Sequence, residues 1–236
     1  MTDVLYVAAK VPKAGFAKTR LGRSIGHEEA VLLYEAFLRD LSARFSEAPF
    51  ELGWYITPPD SWPEISRHTG GSGRVVFQGE GDWTARQREL FEGAEDRGEE
   101  RIVLIGSDSP HLSVAGVSEA FELLETRDLV LRPTYDGGYC LIGMRGFQDV
   151  LRGVPMSTGT ELDGILERAR WFDLSLGLQE PTFDIDEQED LRHLRPLALE
   201  RSDLAETRRA LRSLGLLEGN LLSSGTRYTM DGEGIG

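Results

Sequence analysis

The amino-acid sequence predicts an α/β protein, a three-layer α/β/α sandwich around a mainly parallel sheet. Apolar runs short enough for buried strands alternate with segments of helical period along most of the chain. One of those runs, Ile102-Val103-Leu104-Ile105, is apolar on both faces, so it belongs in the middle of a sheet covered by helices on each side. A length of 236 residues, 40% of them hydrophobic, suits one domain with a real core, and no internal repeat or second core is visible.

The elements follow in order. Val4 to Ala9 is an apolar, β-rich first strand. A loop bearing Lys10, Lys13, Lys18 and Arg20 comes next, where Pro12 rules out a regular ladder and Gly15 opens backbone conformations that other residues avoid. Glu28 to Phe45 reads as a helix, because Ala30, Leu33, Tyr34, Phe37, Leu38, Leu41 and Phe45 fall on one face and Glu28 and Glu29 suit its positive end. Phe50 to Thr57 is a second strand, Pro58-Pro59-Asp60 a break, Trp62 to His68 a short helix and Arg74 to Gln78 a third strand. The flexible loop 78–82 leads into a helix from Trp83 to Asp96. Arg101 to Gly106 is the fourth strand, and Ser113 can cap a helix reaching Leu124. Asp128 to Arg132 and Tyr139 to Met144 are the fifth and sixth strands, joined through Asp136-Gly137-Gly138. Then come a helix at Gly159 to Ala169, a short strand at Trp171 to Leu174, and helices at Glu187 to Arg195 and Ser202 to Leu214. From Glu218 the chain is rich in Gly and Ser without period, so the expected domain is 1–217 and 218–236 a loose tail.

Composition excludes several classes of function. The formal net charge of −14 repels nucleic acid and anionic membranes, so neither is an expected partner. No apolar run is long enough to span a bilayer, and no secretory leader is visible. A single cysteine, Cys140, cannot form an internal disulfide, which fits a reducing compartment and a cytoplasmic location. A homo-oligomer is compatible with this pattern.

Against so acidic a background the basic first loop stands out. A strand feeding a basic, flexible loop is a usual place for an α/β protein to hold phosphate, although a solvated basic loop explains the same letters. Gly15-Phe16-Ala17-Lys18-Thr19 lacks the glycine a P-loop needs before Lys-Thr, and Gly70-Gly71-Ser72-Gly73 precedes a strand, so it is a turn and not a dinucleotide fingerprint. Ligands of open α/β sheets bind beyond the carboxyl ends of the strands. Asp108, just past the fourth strand, is the first candidate ligand for Mg²⁺ or Mn²⁺, unless it caps the next helix. Asp184 and Asp186, two apart on an extended segment, point the same way. One of them is expected to cap the following helix and the other to join the metal site. Asp136, in a glycine-rich stretch, can accept hydrogen bonds from substrate hydroxyls or take a proton, although an Asp-Gly hairpin turn also accounts for it. Cys140 reads as a small buried hydrophobe. The four histidines lack metal-ligand spacing and read as surface or structural.

Five motifs occur in order: K-V-P-K-A-G-F-A-K-T-R-L at 10–21, I-G-S-D-S-P at 105–110, D-G-G-Y-C-L-I-G at 136–143, M-S-T at 156–158 and D-I-D-E-Q-E-D-L at 184–191. Together they resemble the glycosyltransferase-A-like transferases found near radical-SAM and selenoprotein genes and labelled arsenosugar-biosynthesis glycosyltransferases. Q-G-E-G-D at 78–82 is similar to that family's Gln-Gly-x-Gly-Asp loop, with Trp83-Thr84 in place of Leu-Gly, and Met156 stands where a Trp is common. The family is in turn similar to 2-phospholactate and molybdenum cofactor guanylyltransferases. The resemblance implies a Rossmann-like, nucleotide-diphospho-sugar transferase fold. It implies that Lys18 and Arg20 contact nucleotide phosphates, and that Asp108 holds the metal with Asp184 or Asp186 assisting. Glycosyltransferases of this fold usually carry Asp-x-Asp at the metal site, whereas Gly106-Ser107-Asp108 offers one carboxylate.

The expected function is therefore a metal-dependent glycosyltransferase using a nucleotide sugar and a small-molecule acceptor bearing a hydroxyl. The alternatives are a nucleotidyltransferase that releases pyrophosphate and a catalytically inactive nucleotide-binding module. The nucleotide-binding candidates are Lys10, Pro12, Gly15, Lys18, Thr19 and Arg20, with Gln78, Gly79, Asp82 and Ser107; the catalytic candidates are Asp136 and Lys18. The segments Gln78–Trp83 and Tyr135–Tyr139 carry Glu80, Asp82 and Asp136 and no Lys or Arg, which favours a neutral acceptor.

Overall fold

The computed structural model describes residues 2–156 and 158–217. Seven strands form one mixed sheet. In chain order they are β1 (Asp3–Lys10), β2 (Glu51–Thr57), β3 (Arg74–Phe77), β4 (Arg101–Gly106), β5 (Leu129–Pro133), β6 (Tyr139–Arg145) and β7 (Leu176–Leu178). Their spatial order is β3-β2-β1-β4-β6-β5-β7. All neighbours run parallel except β6, which is antiparallel to both β4 and β5. The five residues between β5 and β6 are far too few for a parallel crossover, so this pair must be a hairpin.

The helices are α1 (Thr19–Ile25), α2 (His27–Phe45), α3 (Trp62–Thr69), α4 (Trp83–Glu92), α5 (Val114–Leu123), α6 (Glu161–Trp171), α7 (Leu191–Glu200) and α8 (Ala205–Ser213). Alternation along the strands decides which layer each side chain joins. Leu5, Val7 and Ala9 of β1 and Val103 and Ile105 of β4 pack under α2, α5, α7 and α8. Val4, Tyr6, Ile102 and Leu104 point the other way, under α4 and α6. Ile102 to Ile105 are all buried, so β4 is the sandwiched central strand that its apolar run predicts. Each such side chain contributes roughly 1.5–3 kcal/mol of transfer free energy.

The three-layer α/β/α architecture and most element positions agree with the sequence expectations, with local corrections. Helix α1 was not expected: it is seven residues long with no side-chain cap, and Lys18 precedes it at a left-handed φ of 50°. Helix α4 stops at Glu92, where Gly93 caps it, short of Asp96. The strand expected at Trp171–Leu174 is the end of α6 and a turn. Phe172 caps the helix and Asp173 takes φ 54°, so the chain reverses before it can extend. The strand lies later, at β7, parallel to β5. The tail expected at 218–236 lies outside the described residues. No helix of the described residues is long and apolar enough to cross a membrane.

Candidate active site

A cleft of about 630 Å³ opens at the carboxyl ends of β1 and β4 and the start of the antiparallel β6. Parallel registry sets Ala8 of β1 beside Gly106 of β4, so the loops that leave these two strands emerge side by side. Ser107 donates its N–H to Ala8 O (3.1 Å), which carries the pairing one residue into the loop. Tyr34 reaches the same point from the buried face of α2. Its hydroxyl accepts the Lys10 N–H (3.0 Å) and lies 2.9 Å from Ser107 Oγ. A tyrosine on an otherwise apolar helix face must find such partners when buried, which is the signal that identifies it in retrospect.

Asp108, Asp184 and Asp186 converge here, each offering an oxygen within 4.8 Å of the others. Backbone contacts bring them together, since the Ile185 N–H donates to Asp108 O (2.9 Å) and the Thr182 N–H to Pro133 O (2.9 Å). A Cβ at Gly106 would meet the Asp108 carboxylate and displace it from this position. Neither Asp184 nor Asp186 caps a helix, contrary to expectation. Asp190 Oδ2 accepts the N–H of Asp186 (2.9 Å) and of Glu187 (2.7 Å), and Glu187 and Asp190 form the capping box themselves. Asp108 does not cap α5 either, because Ser113 Oγ accepts the Gly116 N–H at 3.1 Å. All three carboxylates are thus left for the cleft.

Lys18 is delivered into this cluster. Its side chain is 7% exposed, and its ammonium lies 3.6 Å from Asp108 and 3.2 Å from Asp186. It also donates to Ile185 O at 2.6 Å. Burial alone would lower its pKa, but Asp108 and Asp186 outweigh burial and hold it above the ordinary lysine value. Arg20 pairs with the other Asp186 oxygen at 3.1 Å. Burial works against the Asp186 carboxylate, yet Lys18 and Arg20 hold it below the usual range. Asp184 goes the other way, raised by burial and then by Asp108, Asp186 and Asp136. Three carboxylates thus meet two paired cations, Lys18 and Arg20, with Lys10 acting on Asp186 as well, and such a set of hard carboxylate oxygens fits a divalent cation such as Mg²⁺ or Mn²⁺.

On the neighbouring wall Asp136 lines the cleft and accepts from Thr134 Oγ1 (2.5 Å) and the Gly138 N–H (3.2 Å) through one oxygen, leaving the other without a protein partner among the described residues. The segment is a turn, as its Asp-Gly pair predicts, and Asp136 lines the cleft. Gly137 (φ 91°) packs so closely on the Gly159 carbonyl that no side chain fits. Of the other candidates, Lys10, Thr19, Gln78 and Ser107 line the cleft, while Pro12, Gly15, Gly79 and Asp82 are not among its lining residues. Asp82 instead caps α4, accepting the Ala85 N–H at 2.8 Å. Cys140 is buried in the wall, where burial pushes its thiol up to about 12, so it is the small hydrophobe expected of it. His111 is structural: it stacks on Phe183 with ring centroids 4.0 Å apart, and its Nε2 lies 2.9 Å from Thr182 Oγ1.

Trp83, at the end of the expected acceptor-side segment, is in the cleft wall, and sequence reasoning missed Arg86, Gln87 and Glu161 there. The expectation of an acceptor side without Lys or Arg is corrected by Arg86. Residues 83, 86 and 87 are one helical face, i, i+3 and i+4 from the start of α4, and that spacing was the available signal.

The comparisons with known proteins agree with this fold. A solved structure from Desulfovibrio desulfuricans G20, assigned provisionally as a nucleotide-diphospho-sugar transferase, superposes with a TM-score of 0.83 at 26% identity, covering 92% of this chain and 99% of that one. A cytidylyltransferase from Leptospira borgpetersenii serovar Hardjo-bovis shares the fold at 14% identity and a TM-score of 0.55, covering 92% and 96%. CMP:2-keto-3-deoxy-manno-octonic acid synthetase, solved with CTP, shares it at 12% identity and 0.51, covering 85% and 99%. No curated protein matches the sequence. The chain thus has a nucleotide-diphospho-sugar transferase-like fold with nucleotidyltransferase neighbours, and its residues 43–158 match the model of a family described as uncharacterised proteins conserved in bacteria, DUF2064.

Proposed function

We propose that this protein transfers a sugar from a nucleotide sugar to the hydroxyl of a small acceptor, with a divalent cation, in the manner expected of the glycosyltransferase-A-like family it resembles. The observation that carries the reading is the meeting of Asp108, Asp184 and Asp186 with Lys18 and Arg20 in one cleft. Carboxylates alone suit a cation and cations alone suit a phosphate; interleaved, they suit a diphosphate held with its metal. The three carboxylates would hold Mg²⁺ or Mn²⁺, which when bound would supply positive charge to the leaving diphosphate.

The chain's own residues do the rest. Lys18 and Arg20 place fixed cationic donors where negative charge grows as the bond between sugar and phosphate oxygen breaks. Lys18, buried and raised in pKa, stays charged throughout the neutral range. The free oxygen of Asp136 accepts the acceptor's hydroxyl proton, while Thr134 and Gly138 fix the carboxylate's orientation through the other. The buried Tyr34 ties Lys10 of the basic loop to Ser107 of the Asp108 loop and keeps the two facing each other.

A second reading, nucleotidyl transfer with release of pyrophosphate, is favoured by Arg86, a cation on the wall expected to be acidic. Product analysis separates them. Incubation with nucleotide sugars and with nucleoside triphosphates, each with Mg²⁺ or Mn²⁺ and candidate acceptors, should release nucleoside diphosphate from a nucleotide sugar. Metal-dependent release of pyrophosphate without turnover of any nucleotide sugar replaces the first reading by the second. Tight nucleotide binding with no turnover at all reduces the protein to a binding module.

A further inference from the structure

We propose that Arg86 and Gln87 form a receptor for an anionic group, a phosphate or a carboxylate, carried by the acceptor. That the anion's bearer is the acceptor rests on the transferase reading; the anion site itself rests on the following geometry.

Helix α4 starts at the Asp82 cap and turns Trp83, Arg86 and Gln87 toward the cleft. Arg86 is half-buried, yet among the described residues it has no carboxylate partner within ion-pairing distance. Its Nη1 reaches only Gln78 Oε1, at 3.4 Å, and its Nε is buried with no acceptor. Buried Arg44 and Arg101 pair with Asp203 and Asp3, and half-buried Arg88 and Arg97 with Asp149 and Glu99. Among the described residues Arg132, Arg168, Arg195 and Arg208 are half-buried without an ion pair, as Arg86 is, but of these five Arg86 alone lines the cleft. Glu89, one helical turn on and the ordinary partner for Arg86, lies over the backbone of Gly79 instead. Gln87 is wholly buried. Its Oε1 accepts the Tyr139 hydroxyl at 3.0 Å, so its Nε2 must be a donor, and that donor has no partner. Arg132 and Arg195 also bury an unpaired Nε, but neither lines the cleft.

Consecutive residues therefore present donors without acceptors in the wall of one cleft, and each buried donor left so costs about 1–3 kcal/mol. The guanidinium fork matches two oxygens of a phosphate or carboxylate, and its positive charge selects an anion over a neutral hydroxyl. Lys18 and Arg20 are already compensated by Asp108 and Asp186. Lys10, also in the cleft and without an ion pair among the described residues, is exposed to water; Arg86 is the half-buried cation of this cleft whose charge is unmatched, and the acceptor it implies is acidic.

Calorimetry at constant ionic strength tests this with inorganic phosphate and with acetate, using the wild type, Arg86→Gln, Arg86→Lys and Arg20→Ala, and with UDP, GDP, CDP and ADP plus Mg²⁺ as separate titrants. Wild type should bind phosphate or acetate; whichever binds more tightly identifies the anion. Arg86→Gln should weaken that binding at least about tenfold, with Arg86→Lys intermediate because it keeps the charge and loses the fork. Arg20→Ala should leave anion binding in place and instead weaken the nucleoside diphosphate, which Arg86→Gln should not. Unchanged anion binding in both Arg86 variants overturns the proposal, as does loss of diphosphate binding equal to the loss of anion binding. If no diphosphate binds the wild type while phosphate binding still depends on Arg86, the transferase reading fails and the anion site stands. If Arg86→Gln does not fold, the comparison of Arg86→Lys with wild type decides.

Discussion

Lys18→Met removes the buried ammonium while keeping a stem of similar length and apolar character. In the wild type that ammonium lies 3.6 Å from Asp108 and 3.2 Å from Asp186. At an effective dielectric of ~20, each pair is worth about 5 kcal/mol of gross attraction. Most of this offsets the cost of taking the charges out of water, so the pairs add little net stability. Removing one partner differs, because it leaves the remaining carboxylates uncompensated and costs about 3–5 kcal/mol. For a chain of this size, each kcal/mol lowers the melting temperature by about 2–4 °C, so the variant should melt about 6–20 °C below wild type without added metal. Millimolar Mg²⁺ should then raise the variant's midpoint more than the wild type's, because the variant's carboxylates gain a counter-ion that Lys18 otherwise supplies. Differential scanning calorimetry with and without Mg²⁺ measures both effects. Lys13→Met, on the exposed part of the same loop, is the control and should change neither. A Lys18→Met midpoint within about 2 °C of wild type would refute the placement of Lys18 among the carboxylates.

Two further outcomes follow from the same geometry. Asp108→Asn keeps shape and removes one cluster charge, so calorimetry should show metal-dependent nucleotide binding weakened at least about tenfold with the melting temperature little changed; equal binding with and without the substitution would leave Asp108 out of the metal site. His111 is held neutral by burial and then by Arg132, Arg201 and Arg44, its pKa lowered from 6.5 to about 3. The unfolded state therefore binds the extra proton first, and the stability that this group contributes is present above pH 6.5 and lost as pH falls toward 3. Between pH 6.5 and 5 the loss is about 2 kcal/mol, read from urea midpoints, and His111→Gln should flatten that slope; an unaltered slope would mean that His111 is not buried neutral.

The fold was legible because burial on two faces leaves a strong mark. The β4 run and the face of α2 could hardly be read otherwise, and both stand where expected. The elements that were missed carry little local information. Helix α1 has seven residues, contains Gly22 and lacks a side-chain cap, so it forms because α2 packs on it. Strand β7 is Leu-Gly-Leu, at the edge of the sheet, and exists through its pairing with β5. Trp171 and Phe172 mimic a strand in composition, but they are 80% and 47% exposed, so no burial required them to extend.

The site was legible where function and chain direction coincide. Strand ends in an open α/β sheet point to one rim, so Lys18, Asp108 and the pair Asp184 and Asp186 could be gathered from sequence order alone. Reading failed where charge had to be summed over space. Counting Gln78 to Trp83 and Tyr135 to Tyr139 as segments gives carboxylates only, but the surface of the cleft is made of faces, and a helix shows one residue in three or four to each face. Asp82, counted as acidic lining, spends its charge on the α4 cap, while Arg86, outside the counted segment, turns into the cleft. Both changes have the same sign and make that wall less negative than its sequence. An acidic acceptor, electrostatically disfavoured on the linear count, is therefore less disfavoured on the folded wall, where Arg86 stands against Asp136 and Glu161.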